Sequence, residues 1–491
     1  MFQKLFQFIT FIFIFSIAIS SCKKEDAFAT DDSVRLEFSE DSILFDTVFV
    51  QTGSATQVFV VRNPNDQAVR ISSVSLAGGS ASNYRLNVNG TPGKVFSNVE
   101  IGANDSIYVF VEVTIDPNDP ATLFIVKDSI LFSLNGNLQQ VYLEAFGQRA
   151  HFYHGNPLIV LNCNDTWTND LPHVVYGYAI VDSGCTLTVG HGASVHFTPG
   201  SGIVVLSSGT LIVNGTRAEP VTFQGSRLGA QFQDEPGQWD GIYLTNITHN
   251  RLFNGVPDIG PGTKNSSIDY AIIKNGNIGI KIDTVFSPGV TALLLNNTVI
   301  KNMAGIALLA QGSSVKANNC LFANCGQYLA ALLYGGNHRF LHCTFANYWS
   351  HDSRQTPSIL INNYYLSTIR PIDSAYFGNC IIYGNVASEI GLDSAFSSPA
   401  GSNNYFFDHT LINVESSFST SSSLHFKSII RGTDPLFKNA NDHNYEIDST
   451  SAAVNAGDNS ITNLSPILNN DLKGNTRPLG SNPDMGAYER R

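Results

Sequence analysis

Charge is what this chain has least of. Only 14% of its 491 residues are Asp, Glu, Lys or Arg, against roughly 25% in ordinary soluble domains. The balance is −12 and no basic cluster interrupts it. That argues against nucleic acid or anionic lipid headgroups as partners, and weighs against anionic polyuronates. No segment beyond the N-terminus approaches the 18 or so uninterrupted apolar residues of a membrane-spanning helix. Between the chain's recurring features the 3.6-residue period of an amphipathic helix is also missing. Histidines are spaced badly for a metal. His338 and His342 face one ligand pair only on a helix, and on a strand they stand about 13 Å apart. No metal and no cofactor are expected.

What is present is a repeated step: Ile273-Lys-Asn275, Ile300-Lys-Asn302, Phe322-Ala-Asn324, Phe345-Ala-Asn347 and, more loosely, Ile382-Tyr-Gly-Asn385. The first four asparagines are 27, 22 and 23 residues apart, which is solenoid spacing. Two positions before each apolar residue stand Ala271, Thr298, Cys320, Cys343 and Cys380. Alternation places both positions inward, so the three cysteines read as a buried column of inert thiols. Stacked strands predict an asparagine ladder at the turns, amide bonded to amide.

Upstream, Leu187-Thr-Val189, Val195-His-Phe197, Ile203-Val-Val205 and Leu211-Ile-Val213 begin eight residues apart, punctuated by glycine. Three such strands make about 24 residues, which sets Leu187 beneath Leu211. The fold class expected is all-β: a right-handed parallel β-helix over residues 150–433. Cys163 and Cys185 bracket its entry and are a candidate disulfide in an oxidising compartment. Residues 34–149 carry shorter alternating runs (Ile43–Phe45, Val58–Arg62, Val69–Leu76, Ser106–Val113, Ser129–Leu134, Gln140–Phe146) with Asn-Gly turns, indicating an antiparallel sandwich.

At the N-terminus Lys4 precedes an apolar stretch from Phe8 to Ile19, the shape of a signal peptide (1–21). Ile19-Ser-Ser-Cys22 resembles a bacterial lipobox, implying lipidation of Cys22. Lys23-Lys-Glu-Asp26 then resembles the export tag of Bacteroidetes surface lipoproteins, in a tether spanning 22–33. The run Val58-Phe-Val-Val-Arg-Asn-Pro with Phe110-Val-Glu-Val-Thr-Ile-Asp-Pro resembles immunoglobulin-like domains of the abnormal-spindle type. Asp434-Pro-Leu-Phe437, Ala452-Ala-Val-Asn-Ala-Gly457 and Pro483-Asp-Met-Gly-Ala-Tyr-Glu489 resemble the terminal segment of extracellular β-helix proteins, implying a C-terminal coil and cap over 434–491. There Asp471, Arg477, Asp484 and Glu489 are expected to form an ion-pair lock. Together these resemblances imply an outer-membrane lipoprotein facing the cell exterior, held to the membrane by its acyl anchor, with polysaccharide as a candidate partner.

The catalytic signatures that β-helix glycosidases and lyases share are missing. The only Asp-Asp is Asp31-Asp32, in the tether, Arg-x-Lys does not occur, and the Gly-His-Gly at Gly190-His191-Gly192 stands without either. Asp408-His409 and Asp442-His443 lack the surroundings of a lyase pair. One region has the composition of a sugar-binding surface: Tyr348, Trp349, His351 and Arg354, then Tyr364, Tyr365 and Arg370. Aromatic faces stack on sugar C–H faces while neighbouring polar groups meet hydroxyls. Non-catalytic glycan binding or adhesion is the leading expectation. The alternatives are a lyase or hydrolase with a divergent site at 348–370, and a purely structural surface component.

Overall fold

A computed structural model describes residues 28–49, 53–115, 123–284, 290–395 and 403–490. They are nearly all β, with a large parallel sheet. The α-helices among them are two short ones, His249–Asn254 and Asn459–Thr462. The chain divides between Gln148 and Arg149 into two compact units.

The first unit is two five-stranded sheets. Ser106–Val113 alternates exposed and buried residues without a break, so one face is apolar and must be covered. The two apolar faces meet through Phe59 against Phe132 at 6.4 Å and Phe45 against Tyr84 at 5.8 Å. Asn135-Gly136 turns with φ of +48° and +82°, the left-handed pair that a two-residue hairpin requires. It joins Leu123–Leu134 to Asn137–Gln148 in an antiparallel pair. The expectation of a wholly antiparallel sandwich needs correcting, because Ser42–Phe49 runs parallel to Asn137–Gln148. Those two strands are remote in sequence, so no hairpin dictates their direction. Residues 28–33 are not free tether either. Ala29 N donates to Ala68 O at 2.8 Å, and Asn135 Nδ2 donates to the carbonyls of Ala29 and Asp31. The signal segment, Cys22 and the rest of the expected tether lie outside the described residues.

In the second unit a 26-stranded sheet recurs on itself, each strand pairing in parallel with one about three strands further on. Thr186–Gly190 lies along Thr210–Asn214, with Leu187 opposite Leu211. Ser266–Asp269 and Leu293–Asn296 continue that face. Inward residues therefore form columns. One runs Ala317, Phe340, Phe377, Phe407, Phe426. Its phenyl rings stack at 4.9, 4.8 and 5.6 Å, each tilted by 9°, close to the ~4.8 Å between paired strands.

The thiol column is buried, as its spacing requires. Its polar members share one bond, each donating to the carbonyl two residues back. Thr298 donates to Asn296 at 2.8 Å, Cys320 to Asn318 at 3.3 Å, Cys343 to Leu341 at 3.4 Å, Cys380 to Gly378 at 3.3 Å and Thr410 to Asp408 at 3.1 Å. The cause is the intervening residue. Asn297, Asn319, His342, Asn379 and His409 all have φ between +48° and +53°, a left-handed corner that turns the preceding carbonyl toward the next side chain.

The asparagine ladder is not where the repeat suggested. The amide-to-amide bonds are Asn318 Nδ2 to Asn296 Oδ1 (2.8 Å) and Asn319 Nδ2 to Asn297 Oδ1 (3.2 Å). Asn275, Asn302 and Asn385 instead donate to insertions, at Phe232 and Gln233 O, Asp234 Oδ1 and Trp349 O. Asn324 accepts from Tyr445 OH.

The C-terminal segment, expected as a cap, packs as a strap along the flank, with Ile430 of the last tier among the residues it covers. Tyr445 packs on Leu321, Ala323 and Ala346, while Ile447 and Met485 pack on Ile381 and Leu411. Outward side chains on those strands are apolar, so the flank itself needs cover. The ion-pair lock holds the strap's own turns and ties it to the sheet. Buried Arg477 donates to Glu489 Oε2 at 3.3 Å and to Asn319 Oδ1 at 2.7 Å, and Glu489 N donates to Asp471 at 2.8 Å. Asp484 accepts from Asn455 N and Arg490 N, both at 2.7 Å.

Candidate functional site

The first half of the expected surface is mostly interior. Trp349 is 5% exposed, and its Nε1 donates to Asp352 Oδ1 at 2.6 Å. Tyr348 packs against Tyr445 and Phe437 of the strap. Arg354 is buried, with Nη2 at 2.7 Å and Nη1 at 3.0 Å from the two oxygens of fully buried Glu389. Its guanidinium also donates to Thr356 O, Asn347 O and Asn385 Oδ1. Tyr348, Trp349 and Arg354 therefore leave the list of ligand-binding candidates. Their aromatic and polar character serves to fold the 348–357 loop onto the tier beneath it. His351 is exposed beside the Trp349 ring at 4.8 Å. His351, Asp352 and Arg354 do not assemble as an acid/base group, since Asp352 serves Trp349 and Arg354 serves Glu389.

The second half does come together. Tyr364–Tyr365 and Thr368–Ile369 pair as a small antiparallel hairpin, turned at Leu366 with φ of +51°. Tyr365 is 63% exposed and Leu366 82%. The Arg370 guanidinium lies 4.2 Å above the Tyr334 ring, and that ring is 6.2 Å from Tyr365. Tyr364 OH donates to both oxygens of Asp393 at 3.0 Å, while Asn362 Nδ2 donates to Asp393 Oδ2 at 3.2 Å. The Asp393 hydrogen bond raises the Tyr364 phenol above its ordinary value, keeping it a donor. Tyr334, Asn362 and Asp393 belong to this surface although sequence reasoning did not select them. Tyr334 precedes Gly335-Gly336 at the corresponding corner one tier earlier, a signal available in the sequence. The two halves of the candidate region stand at opposite ends of Ile359–Asn362, about 10 Å apart at strand rise.

The Asp-His pairs are ties. His409 Nδ1 is 2.7 Å from Asp408 Oδ1, Tyr376 OH donates to Asp408 Oδ2 at 3.0 Å, and Lys427 Nζ lies 3.4 Å away. Asp458 of the strap stands 3.8 Å from both His409 and Lys427. His443 sits 3.7 Å from Asp234, which Lys301 also approaches at 3.2 Å. His338 and His342 are buried separately, and burial lowers both, His338 to about 4. Among the described residues no three His, Cys, Asp or Glu side chains group to hold a metal ion. Cys163 and Cys185 are joined, with Cα atoms 4.9 Å apart.

No family model and no curated protein matches the chain. Among solved structures, the ASH/PapD-like domain of human CEP192 aligns at 12% identity over 25% of this chain and 89% of its own, with a TM-score of 0.17. The periplasmic chaperone SfaE aligns at 9% identity over 23% and 58%, also at 0.17. The catalytic domain of a GH87 alpha-1,3-glucanase in complex with nigerose aligns at 8% identity over 80% and 91%, with a TM-score of 0.18. Likenesses at these scores carry no argument about fold or activity.

Proposed function

We propose that this chain is an outer-membrane lipoprotein of the Bacteroidetes right-handed parallel β-helix type, anchored through Cys22 and exposed to the cell exterior. In this reading an immunoglobulin-like sandwich precedes the β-helix, and the β-helix binds neutral polysaccharide through its 364–369 hairpin without cleaving it. The β-helix reading is supported by parallel pairing three strands ahead and by the inward columns. The anchor reading rests on Lys4, the apolar stretch from Phe8 to Ile19 and the lipobox-like Ile19-Ser-Ser-Cys22.

The observation that carries the binding function is the constellation around Tyr365. A mostly exposed ring stands beside Tyr334 and Arg370, with Tyr364, Asn362 and Asp393 alongside. A pyranose can lay its C–H face on the Tyr365 ring and place hydroxyls against the amide, carboxylate and guanidinium. Binding of the full chain to a panel of soluble neutral polysaccharides tests this. Tyr365→Ala weakens affinity about tenfold, the effect of losing one aromatic anchor worth about 1.4 kcal/mol, without lowering the melting temperature. Undiminished affinity in that variant, or release of reducing or unsaturated sugars by the wild type, contradicts the reading.

A further inference from the structure

At most corners the chain turns quickly. Phe197 and Gly202, the end and start of consecutive strands, are separated by residues 198–201. The next equivalent corner, between Val221–Gly225 and Gly241–Leu244, takes residues 226–240. This insertion is held rigidly. Gln238 Nε2 donates to Phe232 O and Glu235 O at 2.7 and 2.8 Å. Asn275 Nδ2 donates to Phe232 O and Gln233 O, Lys274 Nζ to Gln233 O, and Asn302 Nδ2 and Lys301 Nζ reach Asp234. At its base Trp239 stacks on Phe197, ring centroids 4.2 Å apart. Two consecutive tiers thus supply side chains whose hydrogen bonds fix one loop.

That loop borders a half-open cavity of ≈ 500 Å³, whose lining includes Phe232, Pro199 and Pro236 together with Arg227, Gln231 and Glu235. The volume lies in the ~300–1,000 Å³ range of small-molecule sites. The Arg227 guanidinium lies 5.2 Å from the Phe232 ring. Among the described residues the side chains of Arg227, Gln231 and Glu235 have no hydrogen-bond or ion-pair partner. Elsewhere in this loop Asp234 and the Gln238 amide nitrogen are paired, whereas at the cavity wall Arg227, Gln231 and Glu235 are exposed. A wall whose backbone is already held in place lowers the ordering cost of capturing a ligand.

We infer that this cavity is a second carbohydrate site, which holds the end or a side branch of a neutral glycan. Phe232 and the two prolines receive the apolar ring face, Arg227 and Gln231 donate to ring and hydroxyl oxygens, and Glu235 accepts from hydroxyls. A neutral ligand fits a wall whose one guanidinium, Arg227, and one carboxylate, Glu235, cancel, and the chain's −12 balance disfavours an anion. The carbohydrate class rests on the function proposed above; the location does not.

Titration calorimetry of the full chain with cellobiose, maltose, laminaribiose and xylobiose, with digalacturonic acid as the charged control, tests the site. At least one neutral disaccharide binds, and Phe232→Ala and Glu235→Gln each weaken that affinity about tenfold or more. Glu235 is exposed, so E235Q keeps the test valid should F232A misfold. The inference is overturned if no neutral disaccharide binds, if digalacturonic acid binds more tightly, or if E235Q binds like the wild type. A cavity that binds disaccharide as expected, combined with unaltered polysaccharide affinity in Tyr365→Ala, sinks the hairpin reading and leaves this one standing.

Discussion

Replacing Arg354 by alanine decides between a structural and a functional account of the 348–357 loop. The guanidinium makes five hydrogen bonds, two of them to Glu389. Glu389 is fully buried, so the variant strands a carboxylate in a low-dielectric interior. Breaking a buried pair from one side costs about 3–5 kcal/mol. The lower end applies here. Glu389 keeps Ser358 N at 2.9 Å, Ser358 Oγ at 2.6 Å and Val386 N at 3.1 Å, and three donors partly solvate the remaining charge. We expect a loss of about 3 kcal/mol, and recovery of most of it in the double variant Arg354→Leu, Glu389→Leu, which removes both charges. Urea unfolding followed by tryptophan fluorescence reads this out selectively. The chain's three tryptophans are Trp167, Trp239 and Trp349, all buried in the second unit. A loss below about 1 kcal/mol, or unchanged stability with abolished glycan binding, refutes the reasoning and returns Arg354 to the binding surface.

Three further outcomes follow from the interior. Cys320, Cys325, Cys343 and Cys380 should resist thiol reagents until unfolding, because burial raises Cys320, Cys343 and Cys325, the last to about 12. Rapid labelling of the native chain contradicts that. Cys343→Thr should cost less than about 1.5 kcal/mol, since Thr298 and Thr410 make the same bond in the same column, whereas Cys343→Asp should cost several times more through buried, unpaired charge. Stability should also fall with acid. Burial depresses His196 and His338 from 6.5 to about 4, so between those values the unfolded chain binds protons that the folded chain refuses. Each then contributes a loss of about 2 kcal/mol from pH 7 to pH 5. Urea midpoints of His338→Val should depend less on pH than the wild type's; equal dependence contradicts the assignment.

Much of the architecture could be read from spacing alone. Eight-residue strand intervals put Leu187 opposite Leu211, and phase relative to the apolar residues put the thiols inside. Such inferences succeed because inward positions repeat every tier and tolerate only apolar or self-satisfied groups. The left-handed corner column was harder to see. Asn297, Asn319, His342, Asn379 and His409 share a backbone conformation and no single side-chain type, and a backbone angle leaves a weak residue signature unless glycine is required. The asparagine ladder was misplaced for a related reason: the more conspicuous asparagines bond to insertions that lie far from the repeat in sequence. Trp349 and Arg354 read as surface residues because they break the repeat. An insertion can fold back onto its own tier, and composition does not reveal that. The 226–240 loop has no repeat at all, and the side chains that grip it, Lys274, Asn275 and Asn302, lie far from it in sequence.

The claim beneath all of this is that residues far apart in sequence stand in register along columns. Thr188 and Lys316 are 128 residues apart in sequence. Their column passes through Ile212, Ser267 and Leu294, which makes four strand steps, or about 19 Å. Spin labels on the double variant Thr188→Cys, Lys316→Cys should give a dipolar distance distribution centred near that value, widened only by the label linkers. A distribution centred at twice that distance, or one with no maximum, contradicts the account.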